Sequence, residues 1–120
     1  MNPDQVLEEG GIEFDAAYEQ KTGKSMKSVG IDPISIIIAI ITFLSQMCPK
    51  PPAELKAEAG RRGPGTLLAA RSATRQALRE KHGPFAYRRF DGDAMADAAL
   101  DVIANKDEEK IRVVQNCCAG

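Results

Sequence analysis

The sequence predicts an all-α protein: several short helices around one isoleucine-rich central helix, in an open fold that neighbouring subunits complete. Three observations predict it. Helix start and stop signals bracket most segments. Apolar residues recur at helical spacing between those signals. Bulky apolar residues are concentrated in one stretch, Ile34 to Cys48, which reads ISIIIAIITFLSQMC, while alanine dominates the apolar count elsewhere and tryptophan is absent. A chain of 120 residues makes one ordinary domain. A free monomer of that size buries about two-thirds of its chain surface. One greasy helix with a thin remainder fits a subunit better than a self-contained globule.

The elements follow in order. Asn2 can cap a short first helix with Pro3 at its first position, and Gly10-Gly11 is expected to stop it. Ile12, Phe14, Ala17, Tyr18 and Lys21 suggest a second short helix ended by Gly23. The stretch GKSMKSVG from Gly23 to Gly30 reads as a flexible linker. Asp32-Pro33 opens a helix over Pro33 to Met47, with a strand as the competing reading because isoleucine favours sheets. Pro49-Lys50-Pro51-Pro52 breaks the chain, and Ala53 to Ala59 can form two helical turns. After a loop from Gly60 to Gly65, Thr66 can cap a longer helix running through His82 to a stop at Gly83. Phe85 to Phe90 reads as a loop. Asp91 can cap a helix over Asp93 to Ala104, with Met95, Ala98, Ala99, Val102 and Ile103 on one face. Asp107 opens a last helix with Ile111, Val114 and Cys118 on one side, or else a short strand over Lys110 to Val114. The division is a 1–48 acidic and apolar unit, a 49–65 Pro/Gly-rich connection, and a 66–120 helical unit.

The apolar helix has a definite pattern. Ser35, Ala39, Thr42 and Gln46, at spacings of four, three and four, form one narrow polar stripe. Ile34, Ile37, Ile38, Ile41, Phe43 and Leu44 lie around the rest of the circumference, so the helix expects apolar surroundings on most sides. Inside a bundle, the small stripe would let a neighbour's backbone come close. In a ring of copies, the stripe would face a lumen and the isoleucines lipid. Fifteen residues span roughly 22 Å, short of the ~30 Å hydrocarbon core, which favours the bundle.

The near-neutral total hides a division of charge. Residues 1 to 60 carry five Lys against nine Asp/Glu, residues 61 to 90 carry eight Lys/Arg against one Glu, and residues 91 to 120 carry three Lys/Arg against seven Asp/Glu. Within the basic middle, Arg71, Arg75 and Arg79 form a ridge at spacings of four. Arg61 and Arg62 precede it, and Arg88 and Arg89 follow it. Arginine suits bidentate contact with carboxylate or phosphate. Aromatics interleaved with cations in Phe85-Ala86-Tyr87-Arg88-Arg89-Phe90 could stack on single-stranded bases. The stronger expectation is that Phe85, Tyr87 and Phe90 anchor a loop and the arginines pair with this protein's own acidic ends.

No catalytic constellation is recognisable. His82 is the only histidine, and its position at a helix end suits a terminal role. Gly60 to Thr66, GRRGPGT, lacks the Gly-Lys-Ser/Thr of a phosphate loop. Asp91, Asp93 and Asp97 do not complete a calcium loop and read as helix-capping acids. Cys48, Cys117 and Cys118 are an odd set without a CxxC, so neither a disulfide framework nor a thiolate zinc site is expected, and a reducing compartment is. The acidic start lacks a secretory signal, and no run reaches ~20 apolar residues.

The expectation is therefore a non-enzymatic structural subunit without a cofactor, partnered by other protein subunits including copies of itself. A minor bacteriophage virion protein fits that character, placed in the particle or in the cytoplasm of the producing cell. The alternatives are a membrane-active, ejection-type component working through residues 34–48, and a nucleic-acid-binding accessory protein working through the arginines.

Overall fold

Helix signals in the sequence are realised as seven α-helices in the computed structural model, which describes residues 2–47 and 49–118. They are α1 (Pro3–Thr22), α2 (Pro33–Met47), α3 (Pro52–Arg61), α4 (Pro64–His82), α5 (Ala86–Arg89), α6 (Gly92–Asn105) and α7 (Glu108–Cys118). No strand occurs among the described residues, so both strand alternatives give way to helix. Cys48 lies outside the described residues, as do the side chains of Cys117 and Cys118, so the expected side-by-side placing of Cys118 with Ile111 and Val114 does too.

The capping signals at Asn2, Asp91, Asp107 and Gly23 act where the sequence places them. The Asn2 side chain accepts the Asp4 N–H at 3.0 Å, with Pro3 following at the first helical position. Asp91, at φ 52°, accepts the Ala94 N–H at 3.2 Å and opens α6. Asp107 accepts the Glu109 N–H at 2.8 Å ahead of α7. Gly23, at φ 78°, ends α1 in the left-handed conformation that glycine adopts at least cost. Thr66 does not cap α4 as expected: Pro64 sets the start two residues earlier, and Thr66 lies inside the helix. The expected loop from Phe85 to Phe90 contains the single turn α5.

Two further expectations are corrected. Gly10-Gly11 does not stop the first helix, and α1 runs through both. A Cβ on Gly11 would sit 2.4 Å from Ile34 Cγ1 and 3.3 Å from the Ile34 Cα and N, so the crossing of α1 over the start of α2 requires glycine. Glycine costs helix about 1 kcal/mol relative to alanine, and tertiary packing outweighs that here. The expected flexible linker is also built into the fold. Met26 is fully buried, its N–H donates to Asp15 Oδ1 at 2.7 Å, and a 3₁₀ turn covers Lys27–Val29.

Four helices organise the rest. α1 and α4 each pack against both α2 and α6, and not extensively against one another. They therefore lie across the bundle from each other. α3 covers α6 and α7, α5 joins α4 to α6, and α7 closes against α1, α2 and α3. α6 is buried on nearly every side, through Met95, Ala96, Ala98, Ala99, Leu100, Val102 and Ile103. The facing stripe of α4 is Ala70, Ala73, Thr74, Ala77 and Leu78. Alanine, read from the sequence as a thin remainder, is here core material. On α2, Ile36, Ile37, Ile40, Ile41 and Leu44 point inward. Tyr18 ties α1 to the turn before α6, its hydroxyl donating to the Phe90 carbonyl at 2.6 Å. Burial, with the Asp91 carboxylate adding to it, pushes the Tyr18 phenol above its usual range.

The accessible surface is 6355 Å². A monomer of this mass is expected to expose about 6,300 Å². Chains that leave a core open expose more, so the area is that of a fold whose helices close on themselves.

The two adjacent glycines give a direct check. Gly10→Ala would place its methyl 3.9 Å from Lys106 Cε, an ordinary contact. It should leave stability unchanged or raise it by up to about 1 kcal/mol through helix propensity. Gly11→Ala should cost about 1–3 kcal/mol through overpacking against Ile34. Urea unfolding of the two variants reads the difference, and equal effects would remove the crossing argument.

Candidate interaction surfaces

The arginine ridge stands on the solvent side of α4. Helical spacing puts Leu68, Arg71, Arg75 and Arg79 on one exposed strip, opposite the buried alanines. Leu68 is 68% exposed at the N-terminal end of that strip. Arg71 Nε lies 3.6 Å from Asp93 Oδ1, a loose surface pair. The Arg75 guanidinium lies 4.5 Å above the Tyr87 ring, within cation–π range. Tyr87 donates a hydrogen bond to Asp93, and its ring lies where a Cβ on Gly92 would have to be. Burial, then the hydrogen bond and charge of Asp93, hold the Tyr87 phenol well above the usual tyrosine range.

The other arginines of the predicted set separate from the ridge. Arg62 turns back, at φ 52°, to pair with Asp101 on α6. Lys21 from α1 reaches the same carboxylate at 3.0 Å. Arg61 and Arg88 are exposed, and Arg89 lies over the Phe90 ring at 4.8 Å. Of the three aromatics expected to anchor this segment, Phe90 is buried and Tyr87 is half-buried. Phe85 is 82% exposed and anchors nothing. His82 closes α4 and meets Phe90 edge-on at 5.5 Å between ring centres.

The predicted polar stripe lies on α2 opposite its buried isoleucines. Ser35, Ala39 and Thr42 are half-buried and Gln46 is exposed. The Thr42 hydroxyl donates to the Ile38 carbonyl at 2.8 Å and Ser35 to the Asp32 carbonyl at 3.2 Å, so both are satisfied within the helix. Ile34, Ile38 and Phe43 flank the stripe half-buried, whereas Ile37, Ile41 and Leu44 are in the core. Among the described residues no single helix is long and apolar enough to cross a membrane. α2 and α3 meet that length and composition only as a pair bent by 103°.

The sequence reading missed a second surface, on α1. Because the helix is continuous through Gly10-Gly11, Glu8, Ile12, Ala16 and Glu19 fall on one exposed strip. Ile12 is 64% exposed at its middle. A groove of about 390 Å³ runs beside it between α1 and the start of α2, edged by Glu8, Asp15, Glu19 and Asp32 with Lys27 as its one cation. The spacing of four from Glu8 through Ile12 to Ala16 was the available signal, hidden by the assumed glycine stop.

Glu9 and Glu13 of α1 are engaged. Lys106 is almost fully buried and holds Glu13 Oε1 at 2.6 Å, while Lys110 holds Glu9 Oε2 at 3.1 Å. Its bond to Glu9 raises the Lys110 pKa. These pairs clamp α1 to the α6–α7 junction.

No group of three or more His, Cys, Asp or Glu able to hold a metal occurs among the described residues. No protein-family model matches the chain, and neither a curated protein nor a solved structure matches it.

The buried clamp has a testable asymmetry. Glu13→Ala leaves the Lys106 ammonium buried without its partner and should cost about 1–3 kcal/mol. Lys106→Met removes the charge and keeps the volume, and should stay within about 1 kcal/mol of the parent. Denaturant midpoints of both variants check this, and a larger loss for Lys106→Met would reverse the assignment.

Proposed function

We propose that the chain is a non-enzymatic structural subunit of an assembly that includes copies of itself, of the kind a minor bacteriophage virion protein belongs to. The supporting observation is the placing of Ile12 and Leu68, each more than three-fifths exposed, the first on a mainly acidic strip and the second on a mainly basic one. A large exposed apolar side chain on a charged helix face is the arrangement of a small interaction surface with a polar rim. The closed area of the fold supports association by outer faces rather than by completion of the core.

A nucleic-acid reading has its own support in Arg75 stacked on Tyr87, with exposed Arg88 and Phe85 nearby. Such a surface could track phosphates and stack a base. It ranks second because Asp91 and Asp93 border the same hollow. The membrane-active reading ranks third, because α2 would have to withdraw five buried apolar side chains from the fold.

Size-exclusion chromatography with light scattering at low salt tests the leading reading. The expected mass exceeds that of one chain and rises with concentration. A single-chain mass at every concentration, to about 1 mM, would overturn it, since even weak millimolar association would then be visible. Retention on DNA at low salt, lost when Arg71, Arg75 and Arg79 are replaced by Gln, would favour the second reading.

A further inference from the structure

We propose that copies of this chain associate head to tail, the exposed face of α1 on one copy seating against the exposed face of α4 on the next. The inference rests on the assembly reading above and deepens it by naming the interface.

The two faces match in length, each carries one exposed apolar side chain, and their charges are opposite. α1 has 20 residues and α4 has 19, each about 30 Å long. One carries Ile12 at its middle and the other Leu68 in its first third, at similar exposure. On the α1 strip Glu8 and Glu19 stand on either side of Ile12, and on the α4 strip Arg75 and Arg79 follow Leu68 two and three turns on. None of these four charged groups has an ion pair among the described residues. Each face therefore presents the feature the other lacks: an apolar ridge to cover and unmatched charge of opposite sign. Two such helices can meet as the seams of a coiled coil do, with apolar side chains in contact and ion pairs along the edges. The acidic groove beside α1 adds Asp15 and Asp32 within reach of arginines arriving on an α4 ridge.

The position of the faces determines what the contact builds. α1 and α4 both turn their inner sides to α2 and α6, so their outer sides point away from each other. A contact between unlike faces is heterologous. It leaves a free acidic face at one end and a free basic face at the other, and so repeats along a chain of copies instead of closing as a two-fold dimer. Opposite charge also rejects the like-with-like alternatives, since α1 against α1 would juxtapose glutamates and α4 against α4 arginines.

Sedimentation of the full chain and two double variants tests this. Wild type is expected to form oligomers that lengthen with concentration at low salt. They should dissociate in about 1 M salt, where screening acts over about 3 Å. Glu8→Lys with Glu19→Lys, and separately Arg75→Glu with Arg79→Glu, should each weaken self-association at least about tenfold, which corresponds to about 1.4 kcal/mol. An equimolar mixture of the two variants should recover association, because the intact basic face of one meets the intact acidic face of the other. Ile12→Ser and Leu68→Ser should weaken association singly without any change of charge, which keeps the test available if a charge reversal fails to fold. Wild type that associates while every variant associates equally well would overturn this interface and leave the assembly reading standing. Failure of the mixture to recover would overturn the head-to-tail pairing. Wild type that stays a single chain throughout would overturn both.

Discussion

Close approach of helix backbones through alanine is the constraint on which the rest of this structure depends. α6 meets α1, α3, α4 and α5, and it can do so because Ala96, Ala98 and Ala99 add little radius to its cylinder. Ala70, Ala73 and Ala77 do the same for α4, and Ala59 for α3. Bulk enters only where the geometry leaves room, through Met95, Leu100, Ile103 and Leu78, and from the isoleucines of α2. Interiors are packed like organic crystals, so a core of small residues is dense only when the helices come near each other. Glycine extends the same logic where α1 crosses α2, since even one methyl on Gly11 would collide with Ile34.

That packing decides what is left for the surface. With five apolar side chains of the isoleucine helix buried inside the chain, the two outer helices, one mainly acidic and one mainly basic, carry two of the exposed large apolar side chains, and Met47 and Phe85 are the others among the described residues. The charge division along the sequence becomes a division across the molecule, because the fold sets α1 and α4 on either side of α2 and α6. Part of the acidic surface is spent inside the fold, where Glu9 and Glu13 hold Lys110 and Lys106. Part of the basic set is spent likewise, where Arg62 meets Asp101 and Arg89 covers Phe90. What remains on these two helices is one exposed apolar residue each, on a mainly acidic strip in α1 and a mainly basic one in α4.

Helix identity was legible because it is local chemistry. Asn2-Pro3, Asp32-Pro33, Asp91 and Asp107 announce their helices, and Gly23 and Gly83 end theirs. The arginine ridge was legible too, since a spacing of four survives any tertiary arrangement. Gly10-Gly11 was misread because a local stop signal was weighed without the crossing that requires it. The segment around Met26 was misread because its polar composition conceals one fully buried side chain and one hydrogen bond to Asp15. The largest misjudgement was of alanine. Composition counts it as weak apolar content, whereas its value in a core depends on interhelical distance, which no single-residue count contains. Neither the buried Lys106 nor the acidic strip around Ile12 could be seen until α1 was recognised as one helix.

If small-residue packing closes the core within one chain, α6 must be as stable as the whole fold even in an isolated copy. Amide hydrogen exchange on the protein held monomeric by dilution and high salt tests this directly. Amides in the middle of α6, from Ala98 to Val102, should exchange only through global unfolding, with protection matching the stability from denaturant titration. Exchange of those amides through a much cheaper local opening, with protection gained only on association, would mean that neighbouring copies complete the core, and would contradict the account.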